Sequence, residues 1–189
     1  ALLLLAAAAF PGHIEAATVD HRLRTEARDE ALWCARLCAA LGIPHQILTV
    51  ERAIDGNIQS GARAARYALL HRWREARGLD WLMTAHHADD QAETLRMRLN
   101  RGAGVSGLAG VRARNGQILR PLLGWRRAEL QAVVDDAGLV PCDDPSNRDT
   151  SYDRVRMRQA LSNTDWIDVA ALSMSSNNLA DAEAALLWV

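Results

Sequence analysis

The sequence predicts an α/β fold, a parallel sheet flanked by helices with a helical extension at its C-terminal end. Short apolar runs at Ile14–Asp20, His45–Val50 and Trp81–Ala85 alternate with longer stretches of helical periodicity, the pattern of repeated βαβ units. The 189 residues suffice for one buried core, or one domain with a small appendage. A hydrophobic fraction of 49% at a net charge of −1 is too apolar and too neutral for a disordered chain.

Ala1–Phe10 (ALLLLAAAAF) reads as a buried helix, because Ala and Leu are strong helix formers. The run is far short of the about 20 residues that span a bilayer, and without a basic flank it predicts no signal peptide. No capping residue precedes it, so the sequence is expected to begin inside an element. Pro11-Gly12 breaks the helix and Ile14–Asp20 is the first strand. Thr25–Leu41 places Ala27, Ala31, Leu32, Leu37, Cys38 and Leu41 at helical spacing, and Gly42 is a left-handed cap. His45–Val50 follows as a strand. Asn57–Gly78 is a long helix with Ala62, Ala65, Leu69, Leu70 and Trp73 on one side.

Trp81–Ala85 is the third strand. Asp89–Asn100 is a helix with acids in its first turn and arginines in its last, the polarity its dipole favours. The glycine-rich Arg101–Gly110 predicts a plain turn, and Ile118–Leu123 a strand or extended segment around Pro121. Arg126–Gly138 is helical, with Leu130, Val133, Val134 and Ala137 spaced for a core. Pro141–Ser151 is a polar loop, Tyr152–Leu161 an arginine-rich helix, and 162–189 a weaker helical tail after a polar break at Ser162–Asp165.

Overall charge argues against a strongly basic nucleic-acid binder, but the charge is segregated. All 22 basic positions are arginine. Residues 1–95 carry a net −2, residues 96–158 a net +5 and residues 159–189 a net −4. The centre of the chain is therefore a directional basic surface or, equally, a set of solvated helix faces in a lysine-free composition. Cys34, Cys38 and Cys142 form an odd set with no secretion signal, which predicts reduced thiols in a cytoplasmic protein. Cys34 and Cys38 lie one helical turn apart without a nearby histidine, a poor zinc site; small side chains on a buried helix face explain them better.

Chemistry concentrates where strands end, which is where open α/β sheets bind ligands. The densest cluster, His86-His87-Ala88-Asp89-Asp90-Gln91-Ala92-Glu93-Thr94, follows a strand and opens a helix. If helical geometry reaches back to His86, then His86, Asp90 and Glu93 share a face, and a histidine with two carboxylates can hold a divalent metal or position a reactive hydroxyl. The plainer alternative is a set of favourable charges at a helix N-terminus. Asp20-His21 stands at the end of the first strand, where an acid can receive a ribose hydroxyl. Arg154 and Arg158 share a helix face and suit phosphate oxygens, or else pair with Asp149 and Asp153. Asp144, Ser146 and Asn147 in the preceding loop are capping and turn residues. The glycines of Arg101–Gly107 lack the lysine of a Walker loop.

In order along the chain, VDHRLR (Val19–Arg24), LGIPH (Leu41–His45), NIQSGARAARYALL (Asn57–Leu70), TAHHADDQAETLRMRLNRGAGVSGLAG (Thr84–Gly110), ILRPLLGWRR (Ile118–Arg127) and DDPSNRDTSYDRVRMR (Asp143–Arg158) resemble the N-terminal catalytic domain of the tRNA(Ile)-lysidine synthetase family. The resemblance covers roughly residues 2–161. It implies an adenine nucleotide α-hydrolase-like fold, the N-type ATP pyrophosphatase, with the catalytic domain over 1–125 and a helical extension over 126–189. It implies ATP-dependent joining of L-lysine to C2 of the wobble cytidine of a minor isoleucine tRNA, through an adenylated intermediate, with ATP and Mg2+ required. The implied partners are tRNA(Ile), L-lysine and ATP in the cytoplasm, with no membrane and with a homodimer allowed.

Carried over by position, His86, Asp90 and Glu93 are the catalytic cluster, with Asp90 a metal ligand. Asp20, His21 and Arg154 bind ATP or its phosphates. Arg101, Arg112, Arg114, Arg156 and Arg158 bind tRNA, and Asp144 and Asn147 organise the DPSN turn. The family's Ser-Gly-Gly-x-Asp-Ser loop cradles phosphate at a helix N-terminus and would stand immediately before Ala1; the chain as written is expected not to turn over without it. The rival readings are a tRNA thiolation enzyme of the same superfamily, for which the cysteine spacing is wrong, and a non-catalytic nucleotide-binding module, which would not need the HHADD cluster.

Overall fold

The computed structural model describes residues 1–22, 26–51, 58–142, 153–162, 164 and 166–188. It divides into two compact units, Leu2–Leu82 and Met83–Val189 with Ala1.

The first unit contains α1 (Leu2–Ala9), β1 (Ala16–Asp20), α2 (Glu26–Ala40), β2 (His45–Thr49) and α3 (Ile58–Ala76). β1 and β2 pair in parallel from Ala16↔His45 to Asp20↔Thr49. Parallel neighbours need a crossover, and α2 supplies it, packing on both strands. Ala31 and Cys38 are its buried residues, so the thiol at Cys38 fills core space as expected. The helix stops where the sequence puts glycine: Gly42 has φ +67°, the Gly42 N–H bonds to the Ala39 carbonyl at 3.1 Å and the Ile43 N–H to the Cys38 carbonyl at 2.8 Å. This is a Schellman closure. Ile43, Leu48, Leu70 and Trp73 complete the core.

β3 (Leu82–Met83) leads into the second unit, which contains α4 (Ala88–Leu99), α5 (Val105–Leu108), β4 (Arg114–Asn115), β5 (Ile118–Leu119), α6 (Arg127–Asp136), α7 (Asp153–Ser162) and α8 (Val169–Trp188). The sheet order is β3-β5-β4, with β4 and β5 antiparallel. The strand expected over Trp81–Ala85 is shorter than its apolar run, although the Thr84 N–H still reaches the Leu119 carbonyl at 3.0 Å. The stretch expected as a plain turn, Arg101–Gly110, contains the four-residue helix α5. The expected weak helical tail is a 20-residue helix that packs on α4 and α5.

The weak periodicity of α8 has a physical cause. The side it buries carries Ser173 and Ser176 rather than large apolar residues, so the backbones approach closely instead of interlocking leucines. The Ser176 hydroxyl donates to the Leu108 carbonyl at 3.2 Å. Across the same seam Gly110 has φ +65°, and a Cβ there would meet Gln91 Oε1 at 2.5 Å and Ser176 Oγ at 3.4 Å; only glycine fits. No described helix is long and apolar enough to cross a membrane.

Candidate functional site

The sequence motif HHADDQAET folds as the turn after β3 and the first two turns of α4. Thr84 Oγ1 lies 3.0 Å from His86 Nδ1, which fixes the imidazole against its own strand. His87 is the N-cap of α4. Its N–H donates to Asp90 Oδ2 at 3.0 Å, the reach-back of a capping box. Its ring lies between two carboxylates, 3.6 Å from Asp89 and 3.7 Å from Asp90.

Asp89 accepts the Arg127 N–H at 2.8 Å and lies 3.4 Å from Arg126 Nε, so it satisfies an orphan donor at the start of α6. Burial pushes its carboxyl upward, but the Arg127 N–H, the Arg126 guanidinium and His87 together hold it below the usual carboxylate range. Gln91 is fully buried, and its amide clamps Val111, accepting from the N–H at 2.7 Å and donating to the carbonyl at 2.9 Å. Glu93, 1% exposed, accepts from Arg158 Nε at 2.8 Å and so ties α7 to α4.

The cluster is thus largely a structural hub, with His86 in the turn after β3 and Asp90 in the first turn of α4. Among the described residues no three His, Cys, Asp or Glu side chains converge on a metal position. Magnesium needs less than such a cage, because it binds through one or two carboxylates and the phosphates of its substrate. Asp90 fits that need, since only Oδ2 is engaged by the capping bond and the side chain is 17% exposed.

On the first unit, Asp20 is buried at the carboxyl end of β1. Its Oδ1 accepts the Arg22 N–H at 2.8 Å, an Asx turn that places Arg22 at φ +52°. His21 Nε2 accepts from Arg66 Nε at 3.3 Å. Burial and the Arg66 charge lower the pKa of His21, against an upward pull from Asp20, so the ring is a neutral acceptor.

The predicted tRNA-binding arginines separate into two groups. Arg112 pairs with Glu183 of α8 and donates to the Ser106 carbonyl at 3.4 Å, and Arg158 is held by Glu93, so both brace helices. Arg101 and Arg156 are exposed and both pair with Asp153. They line a cleft of about 410 Å³ between the end of α4 and α7, with Arg96 and a floor of Met97 and Met157. Arg114 stands on the exposed strand β4, and Arg154 is exposed on α7. Sharing a face did not give Arg154 and Arg158 the same surroundings. Asp144 and Asn147 lie outside the described residues. Sequence reasoning did not single out Gln91, Asp89, Arg120 or Arg126; Gln91 and Asp89 lay within the HHADDQAET motif, but nothing local marks a side chain as fully buried.

A family model described as the PP-loop domain matches residues 1–164. The tRNA(Ile)-lysidine synthase of Novosphingobium aromaticivorans is 49% identical over all of this chain and 60% of its own length. That of Zymomonas mobilis is 43% identical over all of this chain and 60% of its length. For that of Ruegeria pomeroyi the identity is 44%, over all of this chain and 47% of its length. The chain therefore spans about half to three-fifths of the curated relatives it matches. Among solved structures, the U34-tRNA thiolase of Methanococcus maripaludis, with its [4Fe-4S] cluster, superposes with a TM-score of 0.75 at 16% identity, over 94% of this chain and 65% of that one. That likeness is one of fold.

Proposed function

This chain belongs to the PP-loop domain family and is a homologue of the tRNA(Ile)-lysidine synthases, and on that premise we propose that it is the catalytic part of an ATP-dependent RNA ligase. The reaction activates the C2 oxygen of the wobble cytidine of a minor tRNA(Ile) with ATP, releasing pyrophosphate. The amine of L-lysine then attacks C2 and expels AMP, leaving lysidine. The observation that carries this reading is the intact HHADD turn at the end of β3, in a chain whose full length aligns with lysidine synthases.

His86, held by Thr84, and Asp90, held by the helix cap, are the polar pair that meets the reacting groups, and Glu93 supports them by fixing Arg158 and α7. In the first unit Asp20 and His21 are nucleotide-binding residues, and in the second the exposed Arg154 is a phosphate-binding one. Magnesium, held through Asp90, would neutralise the ATP phosphates. Arg101, Arg114 and Arg156 are the exposed guanidiniums that tRNA phosphates would reward. The domain organisation expected from sequence, a catalytic part over 1–125 and a helical extension over 126–189, belongs to this reading, as does a cytoplasmic place beside tRNA.

The test incubates full-length protein with ATP, L-lysine and tRNA(Ile) and follows pyrophosphate. Release that needs tRNA, and an RNA product that gains the mass of lysine, are expected. Release that ignores both tRNA and lysine, or a product that gains sulfur, would sink the lysidine reading. Charge reversal at Arg114 with Arg101 should weaken tRNA binding and flatten its salt dependence by about one unit of slope for each phosphate no longer neutralised; unchanged binding removes both from the surface.

A further inference from the structure

Arg120 is the residue after β5, in the ILRPLLGWRR segment, and it is 6% exposed. A guanidinium is always charged, and a charge that deep is ordinarily paired. The unit follows that rule at its other deeply buried charge, Glu93, which pairs with Arg158. Arg120 has no carboxylate partner among the described residues. Its Nη1 donates to the Arg112 carbonyl at 2.7 Å, and its backbone N–H goes to the Ala113 carbonyl at 2.8 Å. Its Nε is buried with no partner, and Nη2 donates to no described residue.

The two open donors are not scattered. Nε and Nη2 form one side of the planar fork, the side that takes both oxygens of a carboxylate or phosphate at once. Nη1, on the far side, holds the plane in place through the Arg112 carbonyl. The neighbouring Leu119 carbonyl takes the Thr84 N–H, so Arg120 leaves the sheet beside the strand that carries the Thr84–His86 turn.

We propose that Arg120 is an oxyanion-binding residue, its Nε–Nη2 edge receiving two oxygens of a substrate carboxylate or phosphate. The assignment rests on the reading of this chain as a domain that binds ATP and an amino acid, which between them offer both kinds of oxyanion. Arg120 binds and orients; it transfers no proton, because a guanidinium does not deprotonate in proteins.

The test uses Arg120→Lys in the full-length protein, which keeps the charge and a donor for Arg112 but loses the two-pronged edge. Affinities for inorganic pyrophosphate, L-lysine and lysinamide are measured by calorimetry. A loss of about tenfold or more for pyrophosphate alone identifies a phosphate ligand. The same loss for lysine but not lysinamide identifies the α-carboxylate. In the wild-type protein the Arg120 Nε–H resonance should shift on adding the ligand so identified, a readout that holds even if the variant fails to fold. The proposal is overturned if wild type binds neither pyrophosphate nor lysine, if the variant binds both as well as wild type, or if the Nε–H signal ignores them. Wild type that binds pyrophosphate through Arg120 yet never makes lysidine would defeat the functional reading and leave this assignment standing.

Discussion

In the unit of Leu2–Leu82 the buried side chains are apolar, with Ala31, Cys38, Ile43, Leu48, Leu70 and Trp73 in the core and Asp20 the buried acid among the described residues. In the unit that begins at Met83, Gln91, Glu93, Arg120, Ser173 and Ser176 lie as deep as Leu95 and Leu122. The first unit is held by area removed from water, which tolerates exchange of one polar surface group for another. The second is held by specific polar ties, each with one geometry and a penalty when one partner is removed. A motif dense in acids and amides is therefore not automatically a set of reacting groups. In HHADDQAET, Asp89, Gln91 and Glu93 fasten α6, Val111 and α7, and Asp90 caps its own helix.

The sharpest way to break this contrast is Arg158→Ala, which leaves the Glu93 carboxylate buried without its partner. A loss of about 3 kcal/mol is expected in chemical denaturation; a loss as small as that of a surface pair would erase the difference between the units. Next, Gly110→Ala combines a positive φ with a Cβ driven into Gln91 Oε1, and should destabilise by about 2 kcal/mol. Hydrogen exchange at Val111 should rise with it, because the Gln91 clamp must shift.

A smaller effect is expected at Asp89. Its folded carboxyl lies below the usual range, so the unfolded chain takes up the proton more readily. The stability it contributes is complete above the ordinary carboxylate range, about pH 4, and is lost as pH falls through the lower folded value. Asp89→Ala should cost about 1 kcal/mol at neutral pH, as for a lost helix cap, and should flatten the acid limb of the stability curve. Smallest of all is Arg77→Ala in the first unit. Its two 2.8 Å bonds to Glu15 are exposed, so the unfolding midpoint should barely move, and what movement there is should vanish at high salt.

Much of the fold was legible because its signals are local. Gly42 marked the end of α2, the alternation of apolar runs marked β1 and β2, and the acids and arginines of α4 fell at the ends its dipole prefers. β4 and β5 are two residues each, too short to leave a period. α8 gives a weak signal because its two buried residues, Ser173 and Ser176, are small and polar and add no apolar period. The candidate site was legible as a motif and opaque as a set of roles: spacing put Arg154 and Arg158 on one face, but only the fold brings Arg158 to Glu93 while Arg154 stays exposed.

The sequence by itself determined the α/β alternation, the helix ends and the position of the polar cluster at the end of β3, because periodicity, glycine and helix polarity act over a few residues. Only the tertiary structure decided which of those polar groups are consumed and which remain open. Glu93 meets Arg158 from 65 positions away, Gln91 meets Val111 from 20, and Arg120 meets no acid at all among the described residues. Pairing of charge depends on distance in space, and the chain fixes that distance only when it folds.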